Sequence, residues 1–498
     1  MALSQAFFAI GESRPNPAVG AVVVKDGIVV GKGRTQRPGS AHAEVMALRD
    51  AGELARGAAI YVTLEPCCHY GRTPPCTKAI IDAGIKQVYF AHSDPNPVVR
   101  GNSRRILEDA GIEVFEGADA CIKAQVPESW DDCGGECRCL CANEQSALHG
   151  NHASGGKVAS DSSSQVNPDS SSRVIPDLIG DPAFAHDDFF AGVQNSIQRN
   201  AADEAEGRYV FNDIERYFEA YDYFVRNKRT FVEVKCAVSQ EGFMGMVRAD
   251  GSHAPLKITG EGANCWNHEL RAMSDAVLIG AGTLLADNPS LDVRYAQGNS
   301  PVKAVWAGHH EFTAEEIERL KVFEVRGTRL EVCSDGESLC HSRLDATSHS
   351  RLDRESCMSF FNVLVFSCVP QPALKTLQNV EVVLLSASSF PENWRQMLEN
   401  LSVRGMHRLM VEPGAGLAKQ LFATDASTAN SSNSHPLWNR LDMLQSTDSS
   451  VERSLENQIA SGAVSCGLDF PGLPENIVAK ESAMVGPDVL TVYYPNAL

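Results

Sequence analysis

Three residues of the N-terminal region have the chemistry of metal ligands, and an acidic residue stands close to the first of them. His42 offers an imidazole, and Cys67 and Cys76 offer thiols. A catalytic zinc site uses three protein ligands of these types and keeps a fourth position open for water. Glu44, two residues after His42, could exchange protons with that water without binding the metal. Because structural zinc sites are usually closed by four protein ligands, these residues predict a catalytic zinc site.

The spacing of these residues indicates the reaction. A His-x-Glu sequence followed by Pro-Cys is typical of zinc-dependent nucleobase deaminases, whose two cysteines are usually separated by two residues. Here Pro66 precedes Cys67, but eight residues separate Cys67 from Cys76. Bound zinc lowers the pKa of its water towards about 7 and makes hydroxide available. We expect Glu44 to take a proton from that water and pass it to the departing nitrogen, so that an amino-bearing ring carbon becomes a carbonyl.

The surrounding pattern predicts the elements that carry these residues. A hairpin signal at 25–27 separates strands at 21–24 and 28–31. A short helix within 1–14 precedes this hairpin, and alternating elements follow it: helix 42–51, strand 59–64, helix 76–83, strand 87–91, helix 104–110 and strand 112–114. His42 and Cys76 would lie at helix N-termini, where the partial positive charge favours a thiolate. We therefore predict an α/β/α sandwich that ends near residue 118.

Composition limits the class of protein. The 498 residues are enough for two or three domains. A net charge of −19, from 44 Lys+Arg and 63 Asp+Glu, argues against nucleic acid as a partner, because phosphate neutralisation dominates that affinity. No apolar run approaches 18 residues and no signal peptide is evident, so we expect no membrane partner. The 15 cysteines could suggest disulfides, but a thiolate site favours a reducing compartment, and we predict a cytoplasmic protein.

The middle of the chain differs in composition. Residues 121–213 contain a cysteine cluster, from Cys133 to Cys141, and then a stretch rich in Ser, Asp, Asn and Gly. Such a segment cannot bury enough apolar surface to offset the entropy of ordering. We predict three regions: a zinc-dependent deaminase domain at 1–120, a disordered insertion at 121–213, and an α/β domain with polar insertions at 214–498. The cysteine cluster fits no standard metal-site spacing, although a second metal site there stays an alternative.

These motifs resemble the bifunctional riboflavin-biosynthesis deaminase–reductases. The resemblance covers residues 2–118 through Pro-Asn-Pro-Ala-Val-Gly at 15–20, His-Ala-Glu at 42–44, Thr-Leu-Glu-Pro-Cys at 63–67, Gly-Arg-Thr-Pro-Pro-Cys at 71–76 and Asp-Pro-Asn-Pro at 94–97. It implies a cytidine-deaminase-like fold, zinc at His42, Cys67 and Cys76, and Glu44 as proton carrier. It also implies a diaminopyrimidinone ribotide as the small-molecule substrate. Its implied contacts in this half are Asn16, His69, Asp94 and Asn96.

The second half resembles the reductase part of the same family. The segments that carry the resemblance are 231–242, 270–283, 286–294 and 408–417. They imply a dihydrofolate-reductase-like α/β domain that reduces the ribosyl group to ribityl with NADPH, and a homodimer through the C-terminal domain. Implied NADPH contacts are Ala237, Thr283, Asp287, Gly414, Ala415, Gly416 and Leu417. Implied substrate contacts are Arg271, Leu291, Arg294 and Glu412. The two arginines suit a phosphate, because a guanidinium fork matches its oxygens.

Several positions differ from the family pattern and leave alternatives open. The differing residues are Glu241, Pro255, Lys257, Ala307, Gly308 and Pro413. Polar insertions are expected at 333–357, 424–436 and 446–461, and the C-terminal strands only as fragments near 437–444 and 486–490. The leading hypothesis is a dual deaminase and reductase. The alternatives are a deaminase with an inactive reductase-like scaffold, a non-catalytic zinc-stabilised partner protein, and a deaminase acting on tRNA or free cytidine.

Overall fold

The computed structural model describes residues 1–117, 213–324, 362–423, 437–474 and 477–495. The insertion predicted at 121–213 lies outside these residues apart from its last position, and so does the cluster from Cys133 to Cys141. The polar insertions predicted at 333–357 and 424–436 also lie outside them. Within the described ranges, no helix is long and apolar enough to cross a membrane.

The N-terminal half is a five-stranded sheet in the order β2-β1-β3-β4-β5. Strand β1 is antiparallel to both of its neighbours, whereas β3, β4 and β5 run parallel. Parallel strands need crossover connections, and short helices supply them. The strands are β1 (Gly20–Lys25), β2 (Ile28–Arg34), β3 (Ala59–Leu64), β4 (Gln87–His92) and β5 (Glu113–Glu116), and the helices are α1 (Ala2–Phe7), α2 (Ala43–Ala51), α3 (Cys76–Asp82) and α4 (Asn102–Asp109). Each predicted element is present, although the first helix is shorter than 1–14.

Helix α2 packs directly on the backbone of β2, and glycines make this approach feasible. A Cβ atom at Gly31 would lie 2.3 Å from the carbonyl oxygen of Ala47, and one at Gly33 would lie 2.2 Å from that of Ala43. No side chain fits at such distances, so glycine at these positions fixes how deeply α2 sits on the sheet. The first turn of α2 carries the candidate proton carrier.

A long helix connects the two halves. Helix α5 (Asp213–Asn227) buries Ile214, Tyr217 and Phe218 in the hydrophobic core of the N-terminal half. Its Arg216 points to the other half, where one guanidinium nitrogen lies 3.0 Å from both Glu233 and Asp442. The apolar face and the buried arginine of this helix thus attach it to both halves.

Among the described residues, the C-terminal half contains a nine-stranded sheet with the strand order β12-β11-β10-β9-β13-β6-β14-β17-β16. Three further strands form a small second sheet with the order β15-β7-β8. The strands from β12 to β14 are parallel, and β17 and β16 complete the sheet in antiparallel orientation. In chain order the strands are β6 (Phe231–Val238), β7 (Phe243–Arg248), β8 (His253–Ala254), β9 (Ala276–Gly280), β10 (Val302–Gly308), β11 (Val363–Ser367), β12 (Val380–Leu384), β13 (Arg408–Glu412), β14 (Arg440–Gln445), β15 (Val464–Asp469), β16 (Ile477–Val485) and β17 (Asp488–Pro495). The helices are α6 (Glu261–Ala272), α7 (Ala281–Asp287), α8 (Ala314–Arg319), α9 (Phe390–Val403), α10 (Ala415–Phe422) and α11 (Ser450–Ala460).

Two parts of the C-terminal region are more regular than expected. Residues 446–461 are not only a polar insertion, because α11 buries Val451 and Leu455, and Leu455 packs with Val464 of β15. The last strands are also present as continuous elements, since β14 pairs with both β6 and β17. The sequence did not indicate these strands clearly because they lack a regular alternation of apolar and polar residues. Strand β16, for example, exposes most of its side chains on both faces.

Candidate metal centre and reductase-like site

The three predicted ligands converge from three elements. His42 is the N-cap of α2, Cys76 is the first residue of α3, and Cys67 lies just beyond the end of β3. The Nδ1 atom of His42 lies 3.5 Å from Sγ of Cys67 and 3.4 Å from Sγ of Cys76. The three donor atoms lie within 4.8 Å of one another, and no other group of three or more such ligands occurs in the part of the chain that the structure describes. One nitrogen and two sulfur donors at this spacing fit zinc.

Hydrogen bonds within the cluster stabilise the thiolate form of Cys67. The backbone N–H of Cys76 lies 3.3 Å from Sγ of Cys67 and donates to it. Hydrogen bonds from the Cys76 side chain and from His42 lower the pKa of Cys67 to about 4. The hydrogen bond to Cys67 raises the pKa of His42 to about 9, and the same thiolate raises the pKa of Cys76. A metal ion at these atoms would replace the protons of His42 and Cys76, since metal ligands must be deprotonated.

Glu44 lies in the first turn of α2 and is 4% exposed. Burial raises the pKa of its carboxyl group to about 7. A group with a pKa near neutrality is suited to accept and return a proton in one reaction cycle. The structure therefore places a carboxyl group of the required type beside the ligand cluster.

The turn at 94–97 is held by a residue to which the sequence analysis gave no role. Glu65, 3% exposed, accepts the backbone N–H of Asp94 at 3.3 Å and that of Gly101 at 2.8 Å, and the hydroxyl of Ser103 also donates to it. The turn itself is stabilised by side chains, because Asp94 accepts the N–H of Asn96 at 2.9 Å. Burial raises the pKa of Asp94 to about 6. Glu65 belongs to the motif at 63–67 and directly follows the buried strand β3. An acidic residue at such a position was the sequence feature that could have indicated a structural role.

The remaining predicted contacts of this half differ in exposure. His69 is exposed, whereas Asn16 is partly buried and lines a small cavity beside α5. Cys68 is turned away from the ligand cluster, since its thiol donates to the carbonyl oxygen of Val98 at 3.5 Å. This orientation agrees with the choice of Cys67 and Cys76 as the ligand pair.

In the second half, several predicted contacts meet at the carboxyl ends of parallel strands. Strands β9 and β13 are neighbours, and each is followed by a helix whose N-cap is a glycine, Gly280 or Gly414. A Cβ atom at Gly414 would lie 2.1 Å from Oγ1 of Thr283, so the two helix starts are in close contact. Ligands of open α/β sheets bind at this edge, and helix N-termini favour phosphate. Gly416 and Asp287 are exposed there, Ala237, Thr283 and Ala415 are partly buried, and Leu417 is buried beside Gly280.

The two predicted phosphate-binding arginines have different surroundings. The guanidinium of Arg271 binds both carboxylate oxygens of Glu412, at 2.6 and 2.9 Å, and donates to the carbonyl oxygen of Asp292 at 3.2 Å. The side chain of Arg294 is 48% exposed and lies 3.3 Å from the carboxylate of Asp292. Arg294 is therefore the accessible cation, while Arg271 orients Glu412. Leu291 has positive φ (53°) and no exposed surface, so it lies beneath the surface of the site.

Lys235 and His268 border this site and were not predicted. Burial lowers the pKa of Lys235, and the nearby carboxylate of Glu412 opposes this effect. Burial also lowers the pKa of His268 to about 4, so its Nδ1 atom is free to accept the backbone N–H of Arg294 at 3.0 Å. Lys235 is partly buried and alternates with the buried residues Val234 and Cys236 of β6, which was the available sequence signal that it lies on the opposite face of the strand.

The two halves of the chain match different protein-family models. Residues 1–92 match the cytidine and deoxycytidylate deaminase zinc-binding region, and residues 230–337 match the RibD C-terminal domain. The riboflavin biosynthesis protein RibD of Aquifex aeolicus (strain VF5) is 58% identical over 117 residues, which are 24% of this chain and 33% of that protein. RibD of Actinobacillus pleuropneumoniae is 30% identical over 296 residues, 59% of this chain and 54% of that protein. The matches thus span about half or less of these relatives.

Solved structures match over a longer range. Form 2 of Acinetobacter baumannii RibD is 21% identical with a TM-score of 0.52, covering 99% of this chain and 97% of that one. A deaminase/reductase of the same type from Thermotoga maritima is 23% identical with a TM-score of 0.54, covering 99% and 96%. These likenesses confirm the predicted fold class in both halves, and the predicted resemblance to riboflavin-biosynthesis deaminase–reductases is confirmed.

Proposed function

We propose that this chain is a bifunctional enzyme of riboflavin biosynthesis. Its N-terminal half would deaminate 2,5-diamino-6-ribosylamino-4(3H)-pyrimidinone 5′-phosphate with zinc, and its C-terminal half would reduce the ribosyl group to ribityl with NADPH. The observation that carries the proposal is the cluster of His42, Cys67 and Cys76, whose donor atoms lie within 4.8 Å with Glu44 buried beside them.

Each residue of the first site has a distinct task in this proposal. His42, Cys67 and Cys76 would hold the zinc, which would make hydroxide available from water near neutral pH. Glu44 takes up a proton and delivers it to the leaving ammonia, and its pKa of about 7 suits both directions. Asp94 and Asn96 contact the pyrimidine from a turn that Glu65 keeps rigid.

The second site would bind two ligands at the same edge of the sheet. NADPH would lie across the starts of α7 and α10, where Thr283 and Gly414 meet. Arg294 would pair with the ribotide phosphate, because its guanidinium is accessible and forks match phosphate oxygens. Lys235 and Glu412 would border the reacting sugar, since each directly follows the paired residues Val234 and Val411 of the neighbouring strands β6 and β13.

A two-signal assay tests both activities together. Purified full-length protein is supplied with the diaminopyrimidinone ribotide and NADPH, and ammonia release and NADPH absorbance are followed in parallel. We expect both signals, with ammonia appearing before NADPH is consumed. Absence of ammonia from zinc-loaded protein would refute the assignment of the first half.

The second candidate function is a deaminase whose reductase-like half is inactive. The observation in its favour is that the Arg271 guanidinium is already bound to Glu412 and to the Asp292 carbonyl. Lys257 is exposed where the family usually has a tryptophan, and Pro413 offers no N–H donor to a phosphate. Ammonia release without NADPH oxidation would establish this alternative.

Assembly and compartment are part of the proposal. We infer a homodimer through the C-terminal half, supported by the edge strand β16, on which Val478 is 39% and Met484 is 51% exposed. Unpaired strand edges with apolar side chains favour pairing with another chain. A cytoplasmic location is supported by the thiolate ligands, which persist in a reducing compartment. Sedimentation of the purified protein at several concentrations tests the dimer.

A further inference from the structure

The loop at 13–18, which precedes β1, is held by groups outside the deaminase-like half. The Nε2 atom of His407 lies 3.2 Å from the carbonyl oxygen of Pro15. A Cβ atom at Gly405 would lie 2.5 Å from Cβ and 2.9 Å from Cα of Pro15, so Gly405 packs directly against Pro15. On the other side of the loop, the hydroxyl of Tyr217 in α5 donates to the carbonyl oxygen of Ala18 at 3.0 Å. Contacts from both sides therefore define the path of this loop.

One carboxylate couples the loop to the central strand β13. Asp275 is 6% exposed, and its Oδ2 atom accepts the backbone N–H groups of His407 at 2.7 Å and Arg408 at 3.1 Å. Its Oδ1 atom lies 3.8 Å from Nε of Arg14. The same group that fixes the backbone of His407 thus also attracts the arginine of the loop.

Residues predicted to contact the pyrimidine face these groups. A small cavity between the halves is lined by Asn16 together with Tyr221 and His407, whose rings lie 5.4 Å apart. Burial raises the pKa of the Tyr221 phenol, and the negative charge of Asp94 adds to this effect. Asn16 therefore shares a cavity with side chains that the deaminase-like half does not supply, and the charge of Asp94 acts on one of them.

We propose that the reductase-like half and helix α5 position the pyrimidine-contacting loop of the deaminase site, with His407 and Tyr217 as positioning residues. The inference rests on the proposed deaminase function. Substrate binding in the first half then depends on the second half, whether or not the second half catalyses its own reaction. The physical basis is that an active site depends on how closely its substrate-contacting groups are positioned, and a misplacement of about 1 Å can cost about a hundredfold.

Single-atom and conservative variants of the full-length protein test this role. Tyr217→Phe removes only the hydroxyl that binds Ala18 and keeps the ring contact with Phe7. His407→Leu removes the donor to Pro15, and His407→Gln supplies an N–H in its place. For Tyr217→Phe and His407→Leu we expect KM for deamination to rise about three- to tenfold, the effect of one lost hydrogen bond. Zinc content, kcat for deamination and NADPH oxidation should stay unchanged, and His407→Gln should restore most of KM.

Tyr494→Phe is the matched control. It removes a hydroxyl of β17 that donates to Glu219 at 2.9 Å. Glu219 lies on α5, the helix that carries Tyr217, but this hydrogen bond does not involve the loop. Its KM should equal that of the unaltered protein. An equal rise in KM for Tyr494→Phe, or unchanged KM in both Tyr217→Phe and His407→Leu, would overturn the proposal.

Hydrogen–deuterium exchange provides a readout that does not depend on activity. In Tyr217→Phe, the backbone amides of residues 11–20 should exchange faster, whereas those of 59–67 should not change. Identical exchange at 11–20 in Tyr217→Phe, in His407→Leu and in the unaltered protein would also overturn the positioning role. If the unaltered protein releases no ammonia, the proposed function fails, and the exchange result still decides whether the loop is held in this way.

Discussion

Gly33 of β2 lies directly against the first turn of α2. A Cβ atom at Gly33 would lie 2.2 Å from the carbonyl oxygen of Ala43 and 2.3 Å from the amide nitrogen of Ala47. Ala43 stands between His42 and Glu44 in the sequence. The depth at which this helix packs therefore determines where the proposed zinc ligand His42 and the proposed proton carrier Glu44 lie.

The substitution Gly33→Ala should displace α2 and weaken the metal site. Overpacking of this kind costs about 1–3 kcal/mol of unfolding free energy. We expect a lower melting temperature and reduced zinc content, measured by calorimetry and metal analysis. Gly282→Ala is the control, because nothing lies within 4 Å of its added Cβ. Equal zinc content in both variants would contradict the positioning of α2 by Gly33.

Glu44→Gln should abolish deamination and preserve zinc. The amide has nearly the shape of the carboxyl group but cannot transfer the proton, a step worth about 10²- to 10⁴-fold in rate. Ammonia release per zinc-loaded protein measures the effect, and NADPH oxidation with the deaminated ribotide is the internal control. Ammonia release within a few-fold of the unaltered protein would show that another group carries the proton.

Cys76→Ser should remove most of the zinc, whereas Cys68→Ser should not. Cys76 lies 3.4 Å from the His42 imidazole, but Cys68 is bonded to the Val98 carbonyl outside the cluster. Metal analysis after dialysis against a weak chelator distinguishes the two variants. Equal loss of zinc in both would overturn the assigned ligand set.

Lys235→Met should impair reduction without affecting deamination. The amine stands beside Glu412 at the proposed sugar site, and burial lowers the pKa of Lys235, which eases proton transfer from it. We expect NADPH oxidation to fall by about a hundredfold or more. Lys375→Met, in an exposed turn of the same half, should leave both rates unaltered. A fall in ammonia release as large as that in NADPH oxidation would indicate a general loss of structure.

Glu233→Gln should destabilise the protein most strongly near neutral pH. Burial alone would raise the pKa of Glu233, but three surrounding guanidinium groups outweigh it and hold the pKa well below its ordinary value. Two of them lie 2.6 and 3.0 Å away, on Arg408 and Arg216. Removing one partner of a buried pair costs about 3–5 kcal/mol.

The pH dependence of this loss follows from the direction of the shift. A carboxyl group whose pKa is lower in the folded state stabilises the protein above its unfolded pKa of about 4.3 and loses this contribution as the pH falls towards the folded pKa. The unaltered protein should therefore melt at a higher temperature than Glu233→Gln, and this difference should be largest above that pH. It should become smaller as the pH falls further. Glu381→Gln, which breaks a more exposed pair with Arg404, should have a much smaller effect. A difference that grows on acidification would contradict the assignment.

The sequence by itself determined the order of elements in the N-terminal half and indicated the group of His42, Cys67 and Cys76 that the structure brings together. His42, Glu44, Cys67 and Cys76 were predictable because ligand type and spacing are local properties, and alternating apolar strands revealed the α/β fold. These signals are read along the chain and do not require knowledge of distant partners.

Only the tertiary structure decided how distant residues combine. The pairing of Arg271 with Glu412 joins residues 141 positions apart, and that of His407 with Pro15 joins residues 392 apart. Neither pair has a local pattern, because a buried polar contact depends on which elements pack together. The same reason hid the partners of Glu65, Lys235 and the buried arginines around Glu233, because their environments are created by folding.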